Sequence, residues 1–125
     1  MPSRHRNRIV TFDVVDDHLE MKVTFPDASD IRGRGRDYIH RCTRDVFREV
    51  AFTIEEQAAA PGSCGTTLEE LVAAMDAPFT QVNVALAFMK DRGCVEVRRR
   101  RTYPASDAVY EDAMIEFMYL ADAPY

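Results

Sequence analysis

The feature that most constrains this chain lies between Thr67 and Val97, TLEELVAAMDAPFTQVNVALAFMKDRGCVEV. Thr67-Leu68-Glu69-Glu70 is a capping box. The Thr67 hydroxyl is placed to accept the amide three residues on, and Glu70 to reach back to the Thr67 amide. A helix is therefore predicted from Leu68 to about Met75. Asp76 to Phe79 holds a break, with Pro78 suited to a first helical turn. A further helix runs to about Arg92 and is stopped by Gly93. Its predicted inner positions are Phe79, Val82, Ala85, Leu86 and Met89. Cys94 to Val97 then reads as a short strand with Val95 and Val97 on one face.

The flanking regions add elements to this unit. Ile9–Val15 and His18–Phe25 read as two strands; in the second, Leu19, Met21, Val23 and Phe25 alternate with polar residues. Asp16-Asp17 fits a hairpin turn. Pro26–Arg36 reads as a loop with an Arg-Gly-Arg-Gly-Arg core, more suited to a solvated linker than to a phosphate-binding arm. Asp37–Ala60 is predicted as one long helix, striped by Ile39, Cys42, Val46, Phe47, Val50, Ile54 and Ala58, with Phe52 on the charged side. Pro61-Gly62 ends it. Arg98–Pro104 reads as an exposed basic turn or strand, too interrupted to promise a return strand, so the N-terminal hairpin is a candidate to supply one. Asp107 to about Ala121 is a final helix, with Asp107 as N-cap and acids near its start.

This layout resembles the winged helix-turn-helix family. The resemblance rests on the Leu68, Leu71 and Val72 set, Met75 closing that helix, and Val82 seven residues later. Ala85-Leu86, Met89 and Arg92-Gly93 then lead into the first wing strand. It covers residues 67–97 well and 38–120 loosely. It implies an α+β fold: a winged helix-turn-helix core with an N-terminal β-hairpin and an added C-terminal helix. Residues 1–36 would be the hairpin and basic loop. Residues 37–125 would be the winged-helix domain, the two forming one folded unit. It also implies that Thr80, Gln81 and Asn83 face double-stranded DNA, that Arg98, Arg99, Arg100 and Arg101 are wing contacts, and that Thr67 offers an amide or hydroxyl to a phosphate. Gln and Asn side chains can pair bidentately with adenine, and the arginines can neutralise phosphates.

The charge supports a local footprint rather than bulk binding. The 125 residues carry a net charge of -5, and residues 107–125 alone hold five acids and no base. All 16 basic side chains lie in the first 106 residues, with clusters at Arg4/Arg6/Arg8, Arg32/Arg34/Arg36 and Arg98–Arg101. An overall acidic chain is not a nucleic-acid coating protein, but a basic tip can still contact a duplex.

Two features depart from the family pattern. Val84 and Phe88 are i,i+4 neighbours on the outward face of the second helix of the pair, where Arg or Lys is usual. Their apolar patch suggests a protein-interaction module that binds no DNA as the competing reading. The last helix carries Tyr110, Met114 and Phe117 on one face, flanked by Met118, with Ile115 and Tyr119 on the far side. That arc either closes the core or pairs two copies, and homodimerisation is the expectation, in keeping with other winged-helix regulators. The function expected is thus a homodimeric transcriptional regulator. A third reading is a small-molecule or redox sensor using the dimer cleft or Cys64.

No catalytic constellation is visible. His5, His18 and His40 are scattered, and Glu55-Glu56 and Glu69-Glu70 have local structural explanations. Neither a metal nor a cofactor is expected. Cys42, Cys64 and Cys94 make a poor disulfide framework and read as reduced thiols. The basic start of the chain is followed by no apolar stretch of signal-peptide length, and no stretch has transmembrane length. A cytoplasmic location is the expectation.

Overall fold

The computed structural model describes residues 8–26 and 37–122. The Arg32–Arg36 run and the residues Arg4 and Arg6 lie outside the described residues. In chain order the elements are β1 (Ile9–Val15), β2 (His18–Thr24), β3 (Tyr38–Thr43), α1 (Arg44–Ala59) and α2 (Leu68–Met75). They continue with α3 (Phe79–Asp91), β4 (Val95–Arg98), β5 (Arg101–Pro104) and α4 (Val109–Ala121). The fold is mixed α+β.

The alternation seen in residues 18–25 produces the central strand of an antiparallel sheet ordered β1-β2-β3. Asp16 and Asp17 both take left-handed backbone conformations, φ 52° and 65°. A two-residue hairpin turn requires this, and Asp tolerates it better than most residues. Register places Val10, Val23 and Tyr38 in one row, Phe12, Met21 and His40 in the next, and Val14, Leu19 and Cys42 in a third. These rows share one face, which joins the core. The opposite face carries Asp13, Glu20 and Arg41 in register, and Arg41 Nε donates to Glu20 at 2.6 Å.

The long helix expected over 37–60 begins only at Arg44, and its first third is β3. Thr43 decides the boundary. Its backbone is extended, and its hydroxyl accepts the Val46 amide at 3.1 Å as an N-cap. Upstream, Tyr38, His40 and Cys42 also alternate with Ile39, Arg41 and Thr43. That period-two pattern, satisfied by pairing with β2, overrides the weaker 3.6 pattern. Within α1 proper, Phe47, Val50, Ala51 and Ile54 are buried as the stripe requires.

Two further boundaries differ from expectation. The return strand of the basic hairpin is β5, and its next neighbour is Thr66, which exchanges two backbone hydrogen bonds with Thr102 (3.1 and 2.7 Å). The N-terminal hairpin therefore does not complete this sheet; it pairs with β3 instead. Helix α4 starts at Val109 rather than at an Asp107 cap. Ser106 takes over: its Oγ accepts the Ala108 amide at 3.1 Å and donates to Asp112 at 2.7 Å.

One chain of aromatic rings runs through the core. Phe12 of β1 meets Phe88 of α3 edge-on at 5.3 Å, Phe88 meets Phe47 of α1 at 5.7 Å, and Phe47 meets Phe117 of α4 at 5.0 Å. Each such pair is worth roughly 0.5–1.5 kcal/mol beyond area burial. The sheet and the helices thus share a single core.

This packing overturns two expectations. Val84 and Phe88 are not an exposed patch; both are 0% exposed, because the inner face of the N-terminal sheet lies on them. Phe117 is likewise fully buried, and Tyr110, Met114 and Met118 pack partly buried against the core. Phe117, expected to pair two copies, is thus spent in its own core, while Ile115 and Tyr119 on the far side of α4 are 60% and 69% exposed. Conversely Phe79, expected inside, is 54% exposed. No helix of the described residues is long and apolar enough to cross a membrane.

Candidate nucleic-acid interface

Helices α2 and α3 are joined by Asp76-Ala77-Pro78. Asp76 closes α2 in the left-handed conformation (φ 55°), its amide bonding the Val72 carbonyl, and Pro78 opens α3. The capping box at Thr67 is present as expected: the Thr67 hydroxyl accepts the Glu70 amide and Glu70 Oε1 accepts the Thr67 amide, both at 3.1 Å. The Thr67 amide is consequently spent inside the helix start and is not available to a phosphate.

The β4–β5 hairpin turns at Arg99 and Arg100, with Arg98 and Arg101 paired beneath them. Both tip residues have positive φ, 51° and 69°. A two-residue turn of this hand favours Asn and Gly; an ordinary side chain there costs on the order of 1–2 kcal/mol. The four arginines have separate fates. Arg101 is drawn back to α2: its guanidinium donates to the Gly65 carbonyl at 3.1 Å and to both Glu70 oxygens at 3.3 and 3.4 Å. Arg98 stacks on the Tyr103 ring, 4.1 Å from its centroid. Arg99 and Arg100 project from the tip and are exposed. Among the described residues, Arg98, Arg99 and Arg100 enter no ion pair.

The hairpin's base is rigidly held. Gly65 has φ +81°, and a Cβ there would lie 2.8 Å from the Tyr103 ring. Only glycine lets Tyr103 lie against the loop and carry Arg98. Glu70 receives the Thr67 amide and then the Arg101 guanidinium, which together hold its carboxyl below the ordinary range. Tyr103, Gly65 and the Glu70–Arg101 pair were not singled out from sequence. The one available signal was the diagonal offset between Arg98 and Tyr103 on a two-residue hairpin.

On α3, Thr80 is exposed and Asn83 half-buried. Gln81 does not face outward: its Oε1 accepts the Thr43 amide at 3.0 Å, tying α3 to the end of β3. The exposed arc of α3 holds Phe79, Thr80, Lys90 and Asp91, with half-buried Asn83, Leu86 and Ala87.

Other chemistry is sparse. Cys64 is exposed, while burial pushes the Cys42 thiol up to about 12 and Cys94 up to about 11. No group of three or more His, Cys, Asp or Glu placed to hold a metal exists among the described residues. A hollow of about 540 Å³ lies between Glu55, Ala58, Ala59 and Pro104–Asp107. Of its two lining carboxylates, Glu55 and Asp107, Glu55 already accepts the Tyr110 amide at 3.1 Å. Comparison with protein families, curated proteins and solved structures found no match.

Proposed function

We propose that residues 44–104 form a winged helix-turn-helix and that it binds double-stranded DNA. The order of elements supports the fold: α1, the short Thr66 strand segment, α2, a three-residue turn, α3, and the β4–β5 hairpin. One observation carries the function. Arg98, Arg99 and Arg100 stand exposed at the tip of a hairpin whose base is fastened to α2 by Arg101 and Glu70. Three cations that enter no ion pair among the described residues form a footprint for phosphates, Arg98 resting on the Tyr103 ring.

The competing reading, protein docking through Val84 and Phe88, loses its surface, since both lie under the sheet. The proposal concerns a single chain; Phe117 is spent in its core rather than on a second copy.

Fluorescence anisotropy with a short random-sequence duplex tests the reading. Binding tighter than about 100 µM at low salt, weakening steeply as salt rises, is expected. Absence of salt-sensitive binding refutes it.

A further inference from the structure

The resemblance that led to a DNA-binding reading places base contacts on the second helix of the pair. The structure of this chain argues against that assignment. We propose that the β4–β5 hairpin tip alone engages the duplex, through phosphates, and that α3 reads no bases. This inference rests on the DNA-binding reading above and deepens it.

A helix with its side chains is about 10–12 Å across and the major groove is about 12 Å wide, so a reading helix fits with little to spare. It must therefore present a flank clear of other elements. The flank of α3 at Val84 and Phe88 is filled by the three-stranded sheet, with Phe12 against Phe88 at 5.3 Å. Strand β3 reaches the first turn of α3 through Thr43 and Gln81. The sheet thus confines the clear arc of α3 to the side that carries Phe79, Thr80, Asn83, Lys90 and Asp91.

Gln81 would need both ends of its amide for an adenine, and its oxygen is committed to Thr43. What remains on the clear arc of α3 is one cation, Lys90, one anion, Asp91, the apolar Phe79, and the short neutral side chains of exposed Thr80 and half-buried Asn83. Such a surface offers phosphates no net attraction.

Arg99 and Arg100 occupy backbone positions that favour Asn or Gly. Among the described residues, the other two-residue hairpin turns on Asp16 and Asp17, which accept such geometry. Arginine at both tip positions is a local departure that stability does not explain. Held strain of this kind, in a segment anchored by Arg101–Glu70 and by Tyr103 on Gly65, points to use of the side chains. Three cations on a short, rigid tip can neutralise phosphates, but they have no donor–acceptor pattern fixed against base edges. The contact is accordingly indifferent to sequence.

Counterion release makes this quantitative. Three phosphate contacts give a slope of about -2.7 in log affinity against log salt, so affinity should fall roughly 40-fold between about 50 and 200 mM salt. Arg99→Ala/Arg100→Ala should reduce the slope to about -0.9 and the loss to about 3.5-fold over the same range. Arg99→Asn/Arg100→Gly removes the same charges while suiting the turn, and should behave alike; circular dichroism checks that each variant is folded. Thr80→Ala/Asn83→Ala should bind as wild type does, and a panel of duplexes of different sequence should differ by only a few-fold. If wild type shows no salt-sensitive binding, the DNA-binding reading itself fails. If wild type binds, and binding survives both tip variants, the inference is overturned while that reading stands. A strong preference for one duplex that disappears in Thr80→Ala/Asn83→Ala overturns it equally.

Discussion

Phe88 carries the sharpest test of how this protein is packed. Seen as an exposed patch residue, it would tolerate Phe88→Ala with little loss. In the structure it is 0% exposed, edge-on to Phe12 at 5.3 Å and to Phe47 at 5.7 Å, with the Arg92 guanidinium 5.1 Å from its ring centroid. Truncation removes the ring from the meeting point of β1, α1 and α3. Buried Phe→Ala changes cost about 3–5 kcal/mol, combining lost transfer energy with the cavity left behind. Three elements meet here and none can collapse independently, so about 4 kcal/mol is expected. With a urea slope of about 2 kcal/mol/M, the unfolding midpoint should fall by about 2 M. Far-UV circular dichroism in urea measures this. Phe52→Ala is the control: Phe52 is 52% exposed and touches Tyr110 edge-on at 6.2 Å, so less than about 1 kcal/mol should be lost. A double-mutant cycle with Phe12→Ala should return a coupling of about 0.5–1.5 kcal/mol. A loss below about 1 kcal/mol for Phe88→Ala would refute the claim that the sheet covers α3.

Three other outcomes follow from particular contacts. Arg99→Asn/Arg100→Gly relieves two left-handed arginines and should raise stability by roughly 1–2 kcal/mol, read as a higher melting temperature, while weakening duplex binding. An unchanged or lower melting temperature would argue that the tip is not strained. Glu70 has a folded-state carboxyl held below its unfolded value by the Thr67 amide and by Arg101, so its stabilisation is complete above the unfolded pKa and lost as pH falls through the folded one. The stability gap between wild type and Glu70→Gln should therefore be largest at neutral pH and shrink as pH falls through the folded-state pKa; a gap independent of pH would deny the interaction. Iodoacetamide near neutral pH should modify Cys64 alone in the folded protein and all three cysteines in urea, because burial shields Cys42 and Cys94 and raises both thiols. Modification of Cys42 at the rate of Cys64 would contradict its place on the buried face of the sheet.

The sequence by itself determined what is decided within a few residues. The Thr67 capping box, the Asp76–Pro78 break, the stop at Gly93, the Asp16-Asp17 turn and the alternation in β2 all depend on hydrogen bonds or backbone preferences spanning at most one helical turn or one hairpin. The same locality explains why the order α2, turn, α3, strand was legible, together with the basic tip beyond it.

Tertiary structure decided whatever depends on distant partners. Residues 38–43 suit either a helical stripe or an alternating strand, and the edge of β2 settles the matter by offering a ladder of hydrogen bonds. An apolar pair such as Val84 and Phe88 tells only that some surface covers it. That the cover is a sheet from about 40 or more residues upstream, rather than a partner, is a property of the packed chain. The four consecutive arginines look alike in sequence. Glu70, 31 residues away from Arg101, makes one of them structural and leaves three for solvent and ligands. Side-chain type sets what a residue can bind, but burial and the nearest opposite charge set what it has left to bind with, and both are long-range quantities.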